Sequence, residues 1–115
     1  MLHEQEIETA VYQAIYRATR SMCVELPPDV EDAIRDRAAS EEGLGRSVLC
    51  RIIENIDTAR RTRLPLCQDT GMVIGFLRRG EGFPLSDRSV RRIVSEAVAA
   101  AYRDGYFRKS VVADP

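Results

Sequence analysis

The chain has 115 residues, with 17 basic and 18 acidic side chains and a net charge of −1. This length suffices for one domain, and the nearly balanced charge excludes the basic surface typical of proteins that bind nucleic acid or anionic membranes. No stretch approaches the length of a membrane span, and no secretory signal is visible. Three cysteines are too few, and odd in number, for a disulfide framework, so we expect reduced thiols and a cytoplasmic location.

Charge is unevenly distributed along the chain. Residues 1–45 hold 10 acidic and 4 basic side chains, a net of −6, whereas residues 46–115 hold 8 and 13, a net of +5. The second part therefore favours a small anionic ligand over a cation. Ordinary helix surfaces that happen to differ in charge are the alternative explanation.

The first half of the chain has the pattern of three helices. Apolar residues at helical spacing predict an amphipathic helix from residue 4 to about 22. Pro28 suits the first turn of a second helix, which we expect to end at Gly43 and Gly45. The widest apolar stripe predicts a third helix over residues 46–63.

The second half predicts a fourth helix between two extended segments. The continuous apolar run at residues 72–77 reads as a buried strand. Ser86 is the expected N-cap of the fourth helix, and Leu85 and Val90 have the spacing of a hydrophobic staple. Residues 107–112 read as a second strand or extended segment.

These elements predict an α+β fold that is predominantly helical, with about four helices and one or two short strands. We expect residues 1–115 to be a single domain. Because the chain stops directly after an apolar extended segment, we expect it to be the N-terminal part of a longer module.

One short turn carries most of the chemical information. Residues 67–71 read Cys-Gln-Asp-Thr-Gly, directly after a proline-stiffened segment that begins at Pro65. A thiolate is a ligand for iron–sulfur clusters and soft metals, and an amide offers both a donor and an acceptor to a substrate. Asp69 has the chemistry of an acid, a base or an orienting group, and Gly71 permits a positive φ. The spacing alone leaves a functional and a structural role equally open.

The other cysteines have simpler interpretations. Cys23 and Cys50 lie on or near helical stripes, where small buried hydrophobes are the expected role. His3, the only histidine, lies near the N-terminus, where we expect no catalytic role. One cysteine in the turn without a nearby partner cysteine is not a metal site by itself.

Two strings of the sequence resemble the iron–sulfur hydro-lyases, that is, the class I fumarases and the alpha subunit of L-tartrate dehydratase. The first runs from Pro65 through the Cys-Gln-Asp-Thr-Gly turn, and the second, Phe-Arg-Lys-Ser-Val-Val, occupies residues 107–112. The second string follows the first at the distance that the family pattern has. The resemblance spans nearly the whole chain, although the helices before residue 60 contribute only by their pattern.

The resemblance implies a role for four residues. Cys67 matches a metal ligand that binds a [4Fe–4S] cluster, which has three cysteine ligands and one iron open to substrate. Gln68 and Asp69 match substrate-binding residues near that iron, and Arg108 matches an arginine that binds a substrate carboxylate. Asp69 is also the candidate catalytic residue, and its place in the site is better supported than its role as the base.

The resemblance also implies that this chain is incomplete as an enzyme. The other two cluster cysteines of the family come later than residue 115, so we expect the isolated chain to bind no stable cluster and to be inactive. The implied function is reversible addition or removal of water on a small dicarboxylic acid. The implied partners are a beta subunit or C-terminal domain of the same enzyme, together with further copies in a homo-oligomer. The residues do not distinguish fumarate and malate from tartrate and oxaloacetate.

A second interpretation belongs to another class of protein. The chain has the features of a small helical interaction module in which Cys67 is a structural or redox-responsive thiol. The two interpretations differ in whether two further isolated cysteines follow Pro115.

Overall fold

Four α-helices make up most of residues 3–111, which are the residues that the computed structural model describes. The helices are α1 (Glu4–Val24), α2 (Pro28–Ser40), α3 (Gly43–Thr62) and α4 (Asp87–Asp104). Residues 3–111 contain no β-strand. The prediction of a predominantly helical chain with about four helices is therefore confirmed, and the α+β class is wrong.

The turn between α2 and α3 differs from the prediction. Helix α2 ends at Ser40, and Gly43 begins α3 instead of ending α2. Gly43 has φ of +57°, a left-handed conformation that glycine adopts without steric cost. Gly43 is thus the first residue of the next helix, which extends over most of the predicted range of 46–63. Gly45 lies inside that helix.

Helices α1 and α4 pack together and bury most of the core. One cluster contains Leu85, Val90 and Ile93, with apolar side chains of α1 against it, and a second contains Val24 and Phe107 with Tyr102. Small residues on α4 allow this close approach, and Ala97 and Ala101 are fully buried. The predicted start of α4 is confirmed, since the Ser86 side chain accepts a hydrogen bond from the Ser89 amide at 3.1 Å and Leu85 and Val90 share one cluster.

Helices α2 and α3 form a second pair that polar contacts hold together. Glu31 is 9% exposed, and its carboxylate accepts hydrogen bonds from Arg35, at 2.8 Å, and from Arg60. Arg35 also reaches Asp57 on α3 at 2.6 Å. The hydrogen bonds lower the pKa of Glu31, with Arg60 the larger cause and Arg35 the second. A charged network therefore links these two helices, next to the buried apolar side chains of Ala38, Ile56 and Ala59.

The two helix pairs are arranged in an elongated shape. The radius of gyration is 18.1 Å, against about 13 Å for a compact domain of this length. The accessible surface is 8840 Å², against roughly 6300 Å² for a compact monomer of the same mass. Much apolar surface therefore stays exposed. None of the described helices has the length and apolarity to cross a bilayer.

The two predicted strands are absent from residues 3–111. Residues 72–77 are extended coil in which Phe76 is 97% exposed and Ile74 is 68% exposed, so the prediction of a buried strand is wrong. An apolar run becomes a strand only where another extended backbone pairs with it, and no such partner lies within the described chain. Residues 107–111 are also coil, although Phe107 is buried, and Val112 lies outside the described residues.

Candidate functional site

Two segments that are distant in sequence meet beside the end of α4. The Thr70 hydroxyl donates a hydrogen bond to the Arg108 carbonyl at 2.6 Å. The Tyr102 hydroxyl, on α4, donates to the Thr70 and Gly71 carbonyls at 3.4 and 3.3 Å. The Cys-Gln-Asp-Thr-Gly turn and the segment that carries Arg108 therefore lie next to each other, and together they form the candidate site.

The turn itself is built from short local contacts. The Cys67 thiol donates to the Asp69 carbonyl at 3.1 Å, and the Gly71 amide donates to Asp69 Oδ1 at 3.2 Å. Gly71 has φ of +65°, so a side chain at this position would strain the backbone. These contacts leave the Cys67 and Gln68 side chains exposed on the surface of the turn.

Two hydrogen bonds attach the start of the turn to the helices. The Leu66 amide donates to the Cys23 carbonyl at the end of α1 at 3.0 Å, and Asn55 on α3 donates from its side chain to the Leu66 carbonyl at 2.7 Å. No pattern in the sequence points to Asn55, because its hydrogen-bond partner lies 11 residues away on a segment without regular structure. Leu66 therefore joins α1 and α3 directly beside Cys67.

The end of α4 places Arg108. The Phe107 amide donates to the Tyr102 carbonyl at 2.9 Å and the Tyr106 amide to the Arg103 carbonyl at 3.3 Å, which is the hydrogen-bond pattern of a Schellman motif. Its left-handed residue is Tyr106, with φ of +57°, and not the glycine before it. The motif turns the Phe107 ring back onto Tyr102, edge to face, at a centroid distance of 5.6 Å.

The Asp69 carboxylate has a favourable electrostatic environment. Its pKa is lowered by the Ser110 hydroxyl first, then by the Gly71 amide and by the charge of Arg108. The Ser110 hydroxyl oxygen is buried and has no other hydrogen-bond partner within residues 3–111, so Asp69 is the group that it faces. Sequence reasoning passed over Ser110, although the family-like string at 107–112 contains it.

Arg108 is exposed and available to an anion. Within residues 3–111, its guanidinium forms no ion pair, whereas Arg35, Arg60 and Arg92 all bind carboxylates of the chain itself. A guanidinium presents paired donors that match a carboxylate. The site can therefore offer a free cationic fork next to an ionised Asp69.

The cysteines differ from what the sequence suggested. Cys50 is exposed on α3, which contradicts its expected role as a buried hydrophobe, while Cys23 is partly buried against the Val24 cluster. Cys23 and Cys67 line one cleft of about 250 Å³ at the start of the turn. The pKa of the Cys23 thiol is raised by burial first and by Cys67 second.

The side chains near the turn supply only part of the ligands that an iron–sulfur cluster needs. The exposed Cys67 thiol has the chemistry of one cluster ligand. No group of three or more histidine, cysteine, aspartate or glutamate side chains in the described part of the chain could hold a metal ion. The residues at hand do not complete the three-cysteine set that a [4Fe–4S] cluster of this type needs.

Comparison with known proteins identifies the family of the chain. The family model described as fumarate hydratase (fumerase) matches residues 12–115, that is, all but the first 11 residues. The putative L(+)-tartrate dehydratase subunit alpha of Methanocaldococcus jannaschii is 34% identical over 95 residues, which are 81% of this chain and 33% of that protein. No solved structure matches the chain.

Two further relatives are named for the same two enzymes, fumarate hydratase and tartrate dehydratase. The putative fumarate hydratase class I of Geobacillus stearothermophilus is 29% identical over 104 residues, which cover 89% of this chain and 20% of that protein. The L(+)-tartrate dehydratase subunit alpha of Escherichia coli K12 is 25% identical over 100 residues, or 86% of this chain and 33% of that protein. The chain thus spans a third or less of the curated relatives it matches. It belongs to the fumarate hydratase (fumerase) family of hydro-lyases.

Proposed function

We propose that this chain contributes part of the substrate pocket of a hydro-lyase that reversibly adds or removes water on a small dicarboxylic acid. The pairs fumarate/malate and tartrate/oxaloacetate are the candidate substrates and products. The observation that carries the proposal is the hydrogen bond between Thr70 and the Arg108 carbonyl, which joins the two family-like strings in one site. Family membership supports the reaction class.

Arg108 and Gln68 are the proposed substrate-binding side chains. Arg108 binds one carboxylate through its guanidinium fork, and the exposed Gln68 amide donates to a carboxylate or hydroxyl oxygen. The net charge of +5 over residues 46–115 favours the same dianionic ligand. This arrangement binds and orients the diacid next to the turn.

Asp69 is the proposed catalytic residue and a further substrate contact. The carboxylate is ionised near neutral pH, as any aspartate is, and its lowered pKa makes it a weaker base than a free aspartate. The proposed proton transfer therefore depends on the position of Asp69 beside the substrate and not on its basicity. Loss of water from a hydroxy-diacid removes a proton from the carbon next to a carboxylate and a hydroxide from the neighbouring carbon. In this proposal Asp69 exchanges a proton with the substrate, while Arg108 stabilises the negative charge on the carboxylate.

Cys67 is proposed as one thiolate ligand of a [4Fe–4S] cluster in the complete enzyme. Such a cluster supplies a Lewis-acidic iron when it is bound. The resemblance to the family implies that the other two cysteine ligands follow later in the sequence of the complete enzyme, and a beta subunit or C-terminal domain of the same enzyme is a proposed partner. We therefore expect the isolated 115-residue chain to bind no stable cluster and to have no hydro-lyase activity.

The proposal also covers the assembly of the complete enzyme and its location in the cell. Further polypeptide covers the exposed apolar surface of this elongated chain, and the complete enzyme is a homo-oligomer in the cytoplasm. Support for the location comes from the free state of Cys23, Cys50 and Cys67, which suits a reducing compartment. Neither a nucleic acid nor a membrane is among the proposed partners, because the net charge is only −1.

The test uses the complete enzyme assembled with this chain and its variants. Arg108→Met should raise KM for the dicarboxylate by about tenfold to a hundredfold, since a hydrogen bond to a charged group contributes about 1.5–3 kcal/mol. Asp69→Asn should lower kcat by about a hundredfold or more. The matched control is Arg91→Met, which removes another exposed arginine, on α4.

A titration of the isolated chain separates binding from catalysis. Malate or tartrate should shift the amide resonances of residues 68–71 and 108–110 in the parent chain and in Arg91→Met, but not in Arg108→Met. If Arg108→Met keeps the parent KM and the same shifts, this residue does not bind the carboxylate and the proposed pocket is wrong.

A further inference from the structure

The side chain of Tyr102, near the end of α4, is attached to the turn of the candidate site. Its hydroxyl donates to the carbonyls of Thr70 and Gly71 at 3.4 and 3.3 Å. These two residues come directly after Gln68 and Asp69, the proposed substrate-binding residues of the turn. The Tyr102 hydroxyl therefore connects the turn to α4, although the bonded residues are 32 and 31 positions apart in the sequence.

The same tyrosine also holds the segment that carries Arg108. The Tyr102 carbonyl accepts a hydrogen bond from the Phe107 amide at 2.9 Å, and the two aromatic rings meet edge to face at a centroid distance of 5.6 Å. Phe107 is 6% exposed, so the residue directly before Arg108 is buried against the Tyr102 ring. The contacts of Tyr102 thus reach Arg108 through a single neighbouring residue.

Tyr102 lies in a closely packed part of the core. It is 9% exposed and shares one cluster with Val24 and Phe107, against which Val73 packs from the segment that follows the turn. A buried aromatic ring has few alternative positions, because neighbouring side chains fill the space around it. The core therefore sets the position of the Tyr102 hydroxyl, and the hydroxyl in turn sets the position of the Thr70 and Gly71 backbone.

We propose that Tyr102 is a positioning residue of the dicarboxylate pocket, which fixes the separation between the turn that carries Asp69 and the segment that carries Arg108. A substrate that is bound at both ends needs its contacts at a fixed separation, since a small misplacement of one contact weakens binding and slows the reaction. The inference rests on the proposed function, because it gives Tyr102 a role in the same pocket.

The experiment measures KM for malate and for tartrate in the complete enzyme assembled with variants of this chain. Tyr102→Phe removes the hydroxyl but keeps the ring, and should raise KM by about threefold to tenfold, the factor that corresponds to one intramolecular hydrogen bond. Tyr16→Phe is the matched control and should keep the parent KM. The Tyr16 hydroxyl also donates to a residue of α4, Asp104 at 3.1 Å, but this bond involves neither the turn nor the Arg108 segment.

A double variant separates positioning from a general loss of stability. If Tyr102 acts through Arg108, Tyr102→Phe should raise KM much less in the Arg108→Met background than in the parent chain, because the side chain that it positions is gone. A purely structural effect would multiply KM by the same factor in both backgrounds. That result would overturn the proposal, and so would a parent-like KM in folded Tyr102→Phe.

A second variant and a comparison complete the test. Circular dichroism establishes that each variant retains its helices, and Phe107→Leu takes the place of Tyr102→Phe in both backgrounds if the latter does not fold, since the Phe107 ring joins Tyr102 to the Arg108 segment. An unchanged KM in Arg108→Met would refute the proposed pocket and this inference with it. A raised KM in Arg108→Met together with a parent KM in Tyr102→Phe would refute only the role of Tyr102.

Discussion

The hydroxyl of Thr70 and the carbonyl of Arg108 are joined by a hydrogen bond of 2.6 Å across 38 residues of sequence. This contact connects the turn that carries Cys67 and Asp69 to the residue that we propose as the carboxylate-binding arginine. The site therefore depends on the packing of α4, whose C-terminal end positions both segments.

Replacing Thr70 tests how far this contact fixes the site. Thr70→Val keeps the shape but removes the donor, and should lower the free energy of unfolding by about 1 kcal/mol. It should also weaken dicarboxylate binding, because the Arg108 segment loses its attachment to the turn. Thr70→Ser retains the hydroxyl and should behave as the parent chain in urea unfolding and in ligand titration. Equal effects of both variants would contradict the assigned role of the hydroxyl.

The left-handed residue at the end of α4 offers a stabilising substitution. Tyr106 has φ of +57° and its side chain is 83% exposed, so Tyr106→Gly should raise the free energy of unfolding by about 1 kcal/mol. Gly105→Ala should do the opposite, by about 1–3 kcal/mol, because the added Cβ would lie 2.5 Å from the Phe107 ring and 2.9 Å from the Ala101 carbonyl. Urea unfolding of the two variants should therefore give shifts of opposite sign.

The N-cap of α4 should contribute measurably to stability. The Ser86 hydroxyl accepts a hydrogen bond from the Ser89 amide at 3.1 Å, so Ser86→Ala should cost about 1 kcal/mol in thermal or urea unfolding. Ser86→Asp can accept the same hydrogen bond and should retain most of the stability. A loss as large in Ser86→Asp as in Ser86→Ala would show that the cap contact is not the cause.

The charged contact between α2 and α3 predicts a pH dependence. Hydrogen bonds from Arg60 and then from Arg35 lower the pKa of Glu31 below its ordinary value of 4.5. The stability that this carboxylate contributes is therefore fully present above pH 4.5 and is lost as the pH falls through the lowered pKa of the folded chain.

Glu31→Gln isolates this effect. The variant should have a lower melting temperature than the parent chain at pH 7, and the difference between the two should shrink as the pH is lowered well below 4.5. Glu54→Gln is the control, since its ion pair with Arg51 is exposed. A constant difference at all pH values would contradict the assigned role of the ionised Glu31 carboxylate.

The exposed apolar segment at residues 72–77 should cause self-association of the isolated chain. Phe76 is 97% exposed and Leu77 is 61% exposed, and apolar surface of this kind favours contact with a second copy. Phe76→Gln should lower the association constant in sedimentation equilibrium. Glu81→Gln, which neutralises a nearby exposed side chain, should leave it unchanged. A parent chain that stays monomeric over a wide concentration range would refute this prediction.

The sequence alone was sufficient to predict the features that depend on residues close to each other in the chain. Helical spacing located all four helices, and Ser86 with Leu85 and Val90 marked the start of α4 correctly. The Cys-Gln-Asp-Thr-Gly turn was also recognisable from Pro65 before it and Gly71 at its end, and its hydrogen bonds are local, as between Gly71 and Asp69. Such local interactions leave a direct signature in the order of the residues.

Only the tertiary structure decided the features that depend on distant partners. Residues 72–77 have the composition of a buried strand, but no extended backbone within the described chain pairs with them. The contacts of Asn55 with Leu66 and of Thr70 with Arg108, and the common cleft of Cys23 and Cys67, link residues that no local pattern connects. The physical reason is that burial and strand pairing need a second segment of the chain as a partner. The periodicity of a segment describes that segment alone and does not say which partner it has.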